Sequence, residues 1–142
     1  MNKKRIIEAV IFTSWCLFIL WITLLSRTPK TERVFRPDFL YEIRLFVTGH
    51  ETGPHYMDLF LKNIILFVPF GFLMPWDINW KKALFIGLLA SGFIELIQYV
   101  TMLGECEVDD VIANTCGTVI GFYLYEIVHG TYIRWRTRNG KA

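Results

Sequence analysis

Cysteine is scarce in this chain: Cys16, Cys106 and Cys116 are the only three, and no C-x-x-C spacing occurs among them. An odd count gives no closed disulfide framework, and the missing spacing gives no thiolate zinc site, so all three read as small apolar residues. Charge is scarce as well. Only 20% of the 142 residues are charged and the formal net charge is +2, with the basic residues dispersed, which excludes nucleic acid as a partner. There is no glycine-rich phosphate loop, no nucleophile set beside a base and no cofactor motif, so the chain leans away from an enzyme and no cofactor is expected. The run from His50 to His55 superficially resembles a zinc metalloprotease motif, but its spacing is wrong by one, and Gly53-Pro54 is expected to break the helix such a motif needs. Both histidines are therefore assigned to a loop, and no metal is expected.

What the chain has in quantity is apolar surface. Hydrophobic residues make up 54% of it, and the mean hydropathy of +0.38 is that of a membrane protein. The length allows one compact unit, a single membrane domain over residues 1–142. Lys3, Lys4 and Arg5 precede an uncharged run from Ala9 to Leu25, close to the minimum of about 17 residues for a span. Ser26-Arg27-Thr28-Pro29 follows it instead of a small-residue cleavage site, so the run is retained as an anchor. Four transmembrane helices are expected, at about 7–25, 59–74, 83–103 and 108–128, giving an all-α polytopic fold. Pro69 is expected to bend the second of them and free the carbonyl of Ile65. A tight turn is expected over Pro75 to Lys82, and a basic tail with Arg134, Arg136, Arg138 and Lys141 ends the chain.

The first loop, Ser26 to Asp58, is too long for a plain connector. Phe39, Leu40, Ile43, Phe46 and Val47 recur there at helical spacing between Pro37 and Gly49, which predicts a short amphipathic helix at the membrane interface. With four spans, Lys3, Lys4, Arg5, Lys81, Lys82 and the tail basics share one side, and by the positive-inside rule that side is the cytoplasm. Both termini are then cytoplasmic, and the protein is expected in the bacterial cytoplasmic membrane. The turn from Thr101 to Asp110 holds four acids and no Lys or Arg, as suits the outer face.

The candidate functional residues lie in the outer half of that arrangement. At the rise of an α-helix, Glu95 sits roughly 12 Å and Gln98 roughly 8 Å below the outer end of the third span. Ser91, Glu95 and Gln98 are spaced i, i+4, i+7, while Asp110, Asn114, Gly117 and Gly121 are spaced i, i+4, i+7, i+11, so each set occupies one helix face. On the second span Asn63, Phe67 and Gly71 form a similar stripe around Pro69. Gly117 and Gly121 make a G-x-x-x-G pair that admits close helix packing. Neutral amides such as Asn63, Gln98 and Asn114 can serve simply as interhelical hydrogen-bond glue, and Asp109 and Asp110 as charges at a helix start. Glu95 is harder to explain in that way, because a carboxyl in hydrocarbon is costly and needs a partner such as Gln98, Asn114, Lys62, Arg27 or a ligand cation. Glu126, near the inner end of the fourth span, is read as snorkelling to the interface.

Three blocks of these residues together resemble the VanZ-like family of small bacterial membrane proteins: Asn63 through Phe67 and Pro69 to Gly71, Ser91 through Glu95 to Gln98, and Glu107-Val-Asp109-Asp110 through Asn114 to Gly117 and Gly121. The resemblance covers the last three spans. One departure is Glu105, which stands in the turn where many relatives carry a basic residue. The resemblance implies a role in resistance to teicoplanin, a lipid-tailed glycopeptide antibiotic that acts outside the membrane.

Three functions then compete. A non-enzymatic envelope protein would use Asn63, Ser91, Glu95, Gln98, Asp109, Asp110 and Asn114 to bind a membrane lipid, a lipid-linked envelope component or the glycopeptide itself. A membrane enzyme would use Asp110 and Glu95 as acid and base, or as cation ligands with Glu107 and Asp109, on a lipid-linked cell-wall intermediate. An assembly factor would dock a membrane-protein partner on the G-x-x-x-G face. The absence of catalytic motifs favours the first and third.

Overall fold

The computed structural model describes residues 3–74 and 78–138 and is almost entirely helical. Residues 75–77 of the expected turn and Lys141 of the basic tail lie outside the described residues. Helix α1 (Lys3–Leu20) runs directly into a π-helical turn at Trp21–Leu25. A short helix α2 (Tyr41–Val47) follows in the first loop, then α3 (Gly53–Phe72), α4 (Trp80–Thr101) and α5 (Val108–Arg138). Among the described residues three helical stretches are long and apolar enough to cross a membrane: Arg5–Leu25, Trp80–Thr101 and Val108–Arg138. Helix α3, with Asp58 and Lys62 in its first half, is not one of them.

The expectation of an all-α chain needs one correction. Phe35–Arg36 (β1) pairs in parallel with Cys106–Glu107 (β2), Phe35 opposite Cys106 and Arg36 opposite Glu107, tying the first loop to the turn before α5. No helix runs through His50 to His55, as expected, but the helix that follows starts earlier than expected. Proline in the first turn has no helical donor to lose and its φ already suits a helix, so Pro54 starts α3 six residues earlier than the hydropathy suggested. His55 is accordingly helical and not a loop residue. Gly53 is required there for another reason: a Cβ would come within 2.7 Å of the Leu45 carbonyl, so only glycine lets α3 begin directly beneath α2. Helix α5 also continues ten residues past the expected end, through Arg134, Arg136 and Arg138.

The helices pack with the polar side inward. Ser91 and Thr118 are fully buried, and Gln98, Glu95 and Asn114 nearly so, while Phe85, Leu89, Phe93, Leu96 and Val100 of α4 and Ile120, Tyr123 and Ile127 of α5 face outward. A water-soluble protein places these classes the other way round, whereas hydrocarbon is a good solvent for the outer belt. Helix α2 follows the same inversion: Glu42 is 2% exposed, and Phe39, Phe46 and Val47 point out.

At the centre, α3 and α5 touch backbone to backbone. A Cβ on Gly71 would lie 1.9 Å from the Thr118 carbonyl, one on Gly121 2.0 Å from that of Val68, and one on Gly117 2.3 Å from that of Ile64. The stripe Asn63, Phe67, Gly71 therefore faces the G-x-x-x-G stripe, with Phe67 wholly buried between them. The matched order of these contacts makes α3 and α5 parallel. Helix α4 runs antiparallel to α5, with Ser91 at Asn114 and Gly87 against Thr118. Helix α1 closes the bundle through the Trp15 indole, which donates to the Leu66 carbonyl, and through stacking of Phe12 near Phe70.

Candidate functional site

The expected polar stripes meet at the end of the bundle where α3 and α5 begin. They divide into three arrangements. Deepest, the Asn114 amide donates to Ser91 Oγ at 2.9 Å, and the Thr118 hydroxyl donates to the Asn114 carbonyl, one turn back. Gln98 reaches across to α1, its amide donating at 2.9 Å to the Thr23 carbonyl within the π-helical turn. Met102 in the left-handed conformation then ends α4, and Gly104 lies against the Gln98 amide. Ser91, Asn114 and Gln98 join helices, as neutral interhelical glue does, while the Thr118 hydroxyl is satisfied within α5.

The second arrangement uses two carboxylates to hold backbone. Glu95 Oε2 accepts the N–H of Glu107 at 2.9 Å, fixing β2 over the end of α4. None of the side chains expected for Glu95 supplies that bond. A strand amide from the acidic turn does, and a charge-assisted bond of this kind is worth more than a neutral one. From the sequence, Asp109 is a candidate for the polar site or for the start of its own helix. Instead both its oxygens serve α2: Oδ1 accepts the N–H of Leu40 at 2.6 Å and Oδ2 that of Glu42 at 2.9 Å. Two amides at the start of α2 are thus satisfied from 67 and 69 residues away in the chain.

The third arrangement is a cavity of about 340 Å³ lined by Ile22, Arg27, Glu42, Leu59, Lys62, Asn63, Leu66, Glu107 and Asp110. On one wall Asn63 donates to Asp110 Oδ1 at 2.6 Å. Carboxylate oxygens of Glu42, Glu107 and Asp110 come together on another, no two of the three atoms more than 4.8 Å apart. Burial, reinforced by the charges of Asp110, Glu107 and Asp109 and only partly offset by Arg36, pushes the Glu42 carboxyl up to about 8. Burial and Asp110 likewise raise Glu107 to about 7 against the pull of Arg36. The structure thus brings Asn63 and Asp110 into the cavity and leaves Ser91, Gln98, Asn114 and Asp109 in packing and capping positions. Sequence reasoning missed Glu42 as a member. Its signal was faint: it is one acid among the apolar residues whose spacing predicts the short helix.

Outside the cavity, Glu105 forms a latch. Its carboxylate binds Lys30 at 2.9 Å and Arg36 Nε at 2.6 Å. Burial works against its ionisation, but the Lys30 hydrogen bond and the Arg36 charge outweigh it and hold the carboxyl below the usual range. Two basic residues of the first loop thus meet the acid of this turn. Glu105→Lys is expected to cost about 1 kcal/mol, the scale of part-exposed ion pairs, and the loss should shrink in high salt. Because the folded carboxyl titrates below its unfolded counterpart, the latch contributes fully above the ordinary carboxylate range and fades as pH falls through the depressed value. Thermal unfolding in detergent at two salt concentrations and across pH 3–7 measures both effects, and equal stability of variant and wild type at neutral pH would remove the latch.

Comparison with known proteins follows the same residues. The VanZ/LLP1 family model matches residues 12–129. A curated relative, Protein VanZ of Enterococcus faecium, is 25% identical over 126 residues, covering 85% of this chain and 74% of that protein. No solved structure matches. The three blocks that resemble the family all fall within the matched span, and with three membrane-length apolar helices around an inward polar interior the chain is a membrane protein that belongs to the VanZ-like family.

Proposed function

We propose that this protein is a non-enzymatic component of the bacterial cytoplasmic membrane that lowers susceptibility to lipid-tailed glycopeptides such as teicoplanin, acting through the cavity between the π-helical turn, α2, α3 and α5. The observation that carries the reading is the position of that cavity. Parallel packing of α3 with α5 supports α3 as a fourth span, because a helix in register with a crossing neighbour over residues 63–71 crosses with it. Four spans put Lys3, Lys4, Arg5, Lys81, Lys82 and the end of α5 in the cytoplasm and the cavity at the outer face. Helix α2, apolar outward, then lies at the outer interface, where a lipid-tailed ligand arrives. The cavity's Arg27, Lys62 and Asn63 offer donors to a lipid headgroup or to the lipid-proximal part of the antibiotic. The G-x-x-x-G face that an assembly role would use is filled by α3.

The test is susceptibility of a sensitive Gram-positive host expressing wild type, Asp110→Asn or Glu95→Gln at matched membrane levels, with teicoplanin compared against tail-less vancomycin. Wild type should protect against teicoplanin selectively, and Asp110→Asn should abolish protection without loss of protein. Glu95→Gln keeps an acceptor for the Glu107 amide and should retain part of it. Protection that survives Asp110→Asn would move the function away from the cavity, and no protection by wild type would refute the reading.

A further inference from the structure

Three carboxylates crowd one wall of the cavity, and one of them is anomalous. Glu42 is 2% exposed, lines the cavity, and its Oε2 has no hydrogen-bond partner among the described residues. A buried acceptor of this kind loses its hydration without compensation, and structures rarely leave one so. The neighbouring basic residues do not relieve it: Lys62 is turned to Asp58, and Arg36 binds Glu105 at 2.6 Å and reaches Glu107 only at 3.8 Å. Asp109 and Glu95, the other acids nearby, are engaged with backbone amides. Glu42 thus sets a carboxylate with an unpartnered buried oxygen beside two further carboxylates, an arrangement that Gln would satisfy better if packing were its only purpose.

We propose that Glu42, Glu107 and Asp110 form a binding site for a divalent, oxygen-seeking cation of calcium size. The spacing fits. Oxygens bound to one such ion at about 2.4 Å lie no further apart than about twice that length, and the three here fall within 4.8 Å of one another. The donor set is all carboxylate, with no histidine or thiolate among the three ligands, as suits a hard cation and not zinc. One divalent ion with the Arg27 guanidinium on the same cavity balances the three negative charges. The ligands come from α2, β2 and α5, so the ion would clamp the first loop onto the bundle, and the remaining cavity leaves coordination positions for water or an incoming oxygen ligand. This site differs from the cation set considered from sequence, which held Glu95 and Asp109 and lacked Glu42.

Chelator-treated full-length protein in detergent is titrated with calcium chloride, and separately with magnesium chloride, by calorimetry, alongside thermal unfolding. Wild type should bind one calcium ion per chain with an upward shift in Tm and respond more weakly to magnesium. Glu42→Gln and Glu107→Gln should lose both the heat and the shift while remaining monodisperse, and Glu126→Gln, an exposed acid toward the far end of α5, should bind as wild type does. Failure of wild type to bind either ion, undiminished binding by Glu42→Gln, or equal loss in Glu126→Gln would overturn the site. Should Glu42→Gln fail to fold, Glu107→Gln decides the question on the same readout. No antibiotic enters this measurement, so the site stands or falls separately from the resistance reading.

Discussion

Gly121→Leu is expected to leave no folded protein, and Gly121→Ala to cost about 3 kcal/mol or more, the upper end of what overpacking a close-packed interior does. The reason is what the new atom would meet. Its Cβ would fall 2.0 Å from the Val68 carbonyl and 2.8 Å from the Phe72 nitrogen, both backbone atoms of α3 that cannot turn aside as a side chain can. The two helices must separate, and separation opens the Gly117 and Gly71 contacts in the same seam. In a membrane this loss is not made good by the hydrophobic effect, because lipid tails are as apolar as the helices they replace, and close packing is itself the attraction. The control is Gly92→Ala on α4, where a Cβ meets nothing within 4 Å and the gain in helix propensity should leave stability unchanged or raise it by up to about 1 kcal/mol. Monodispersity after heating in detergent distinguishes them. If Gly121→Ala and Gly92→Ala tolerate heat equally, the backbone seam is not where α3 and α5 meet.

That seam was legible in the sequence because helix periodicity is local. Asn63, Phe67 and Gly71, like Asp110, Asn114, Gly117 and Gly121, share a face by spacing alone, and the structure sets the two stripes against each other. Hydropathy likewise located the helices, erring at ends where a capping proline or continued helix replaced an expected loop. In the first loop the spacing located the short helix and its outward apolar side, but not the burial of Glu42 against the bundle or the partners of the loop. The β1–β2 pair joins two-residue segments about 70 positions apart, too short for any strand signal. The partners of Glu95 and Asp109 are backbone amides, which no residue type announces.

Asp109 gives the second large effect. Asp109→Ala should undock α2, at a cost of about 3 kcal/mol or more, since two hydrogen bonds to a carboxylate disappear and two amides are left without acceptors. Backbone strain adds to this. Leu40, whose N–H is one of the two, sits at φ 54, a left-handed conformation that costs a non-glycine residue roughly 1–2 kcal/mol. The carboxylate holds the loop in that conformation, so removing it releases the strain by letting the segment leave. Asp109→Asn keeps one acceptor but turns an amide group toward the other N–H, and should fall between wild type and Ala. Leu40→Gly, which removes the strain, should recover part of the stability of Asp109→Asn, although it does nothing for a lost hydrogen bond. Limited proteolysis of the Arg33–Arg44 segment reads the docking directly: cutting should be slow in wild type, rapid in Asp109→Ala, and intermediate in the double variant. Because α2 carries Glu42 and covers the cavity, undocking it should also abolish teicoplanin protection while α1, α3, α4 and α5 remain assembled. Protease resistance of Asp109→Ala equal to wild type would mean that α2 is held on α3 by its other contacts, the close backbone approach at Gly53 and the Tyr41–Tyr56 ring pair among them, and the carboxylate that reaches across the fold would be only a cap.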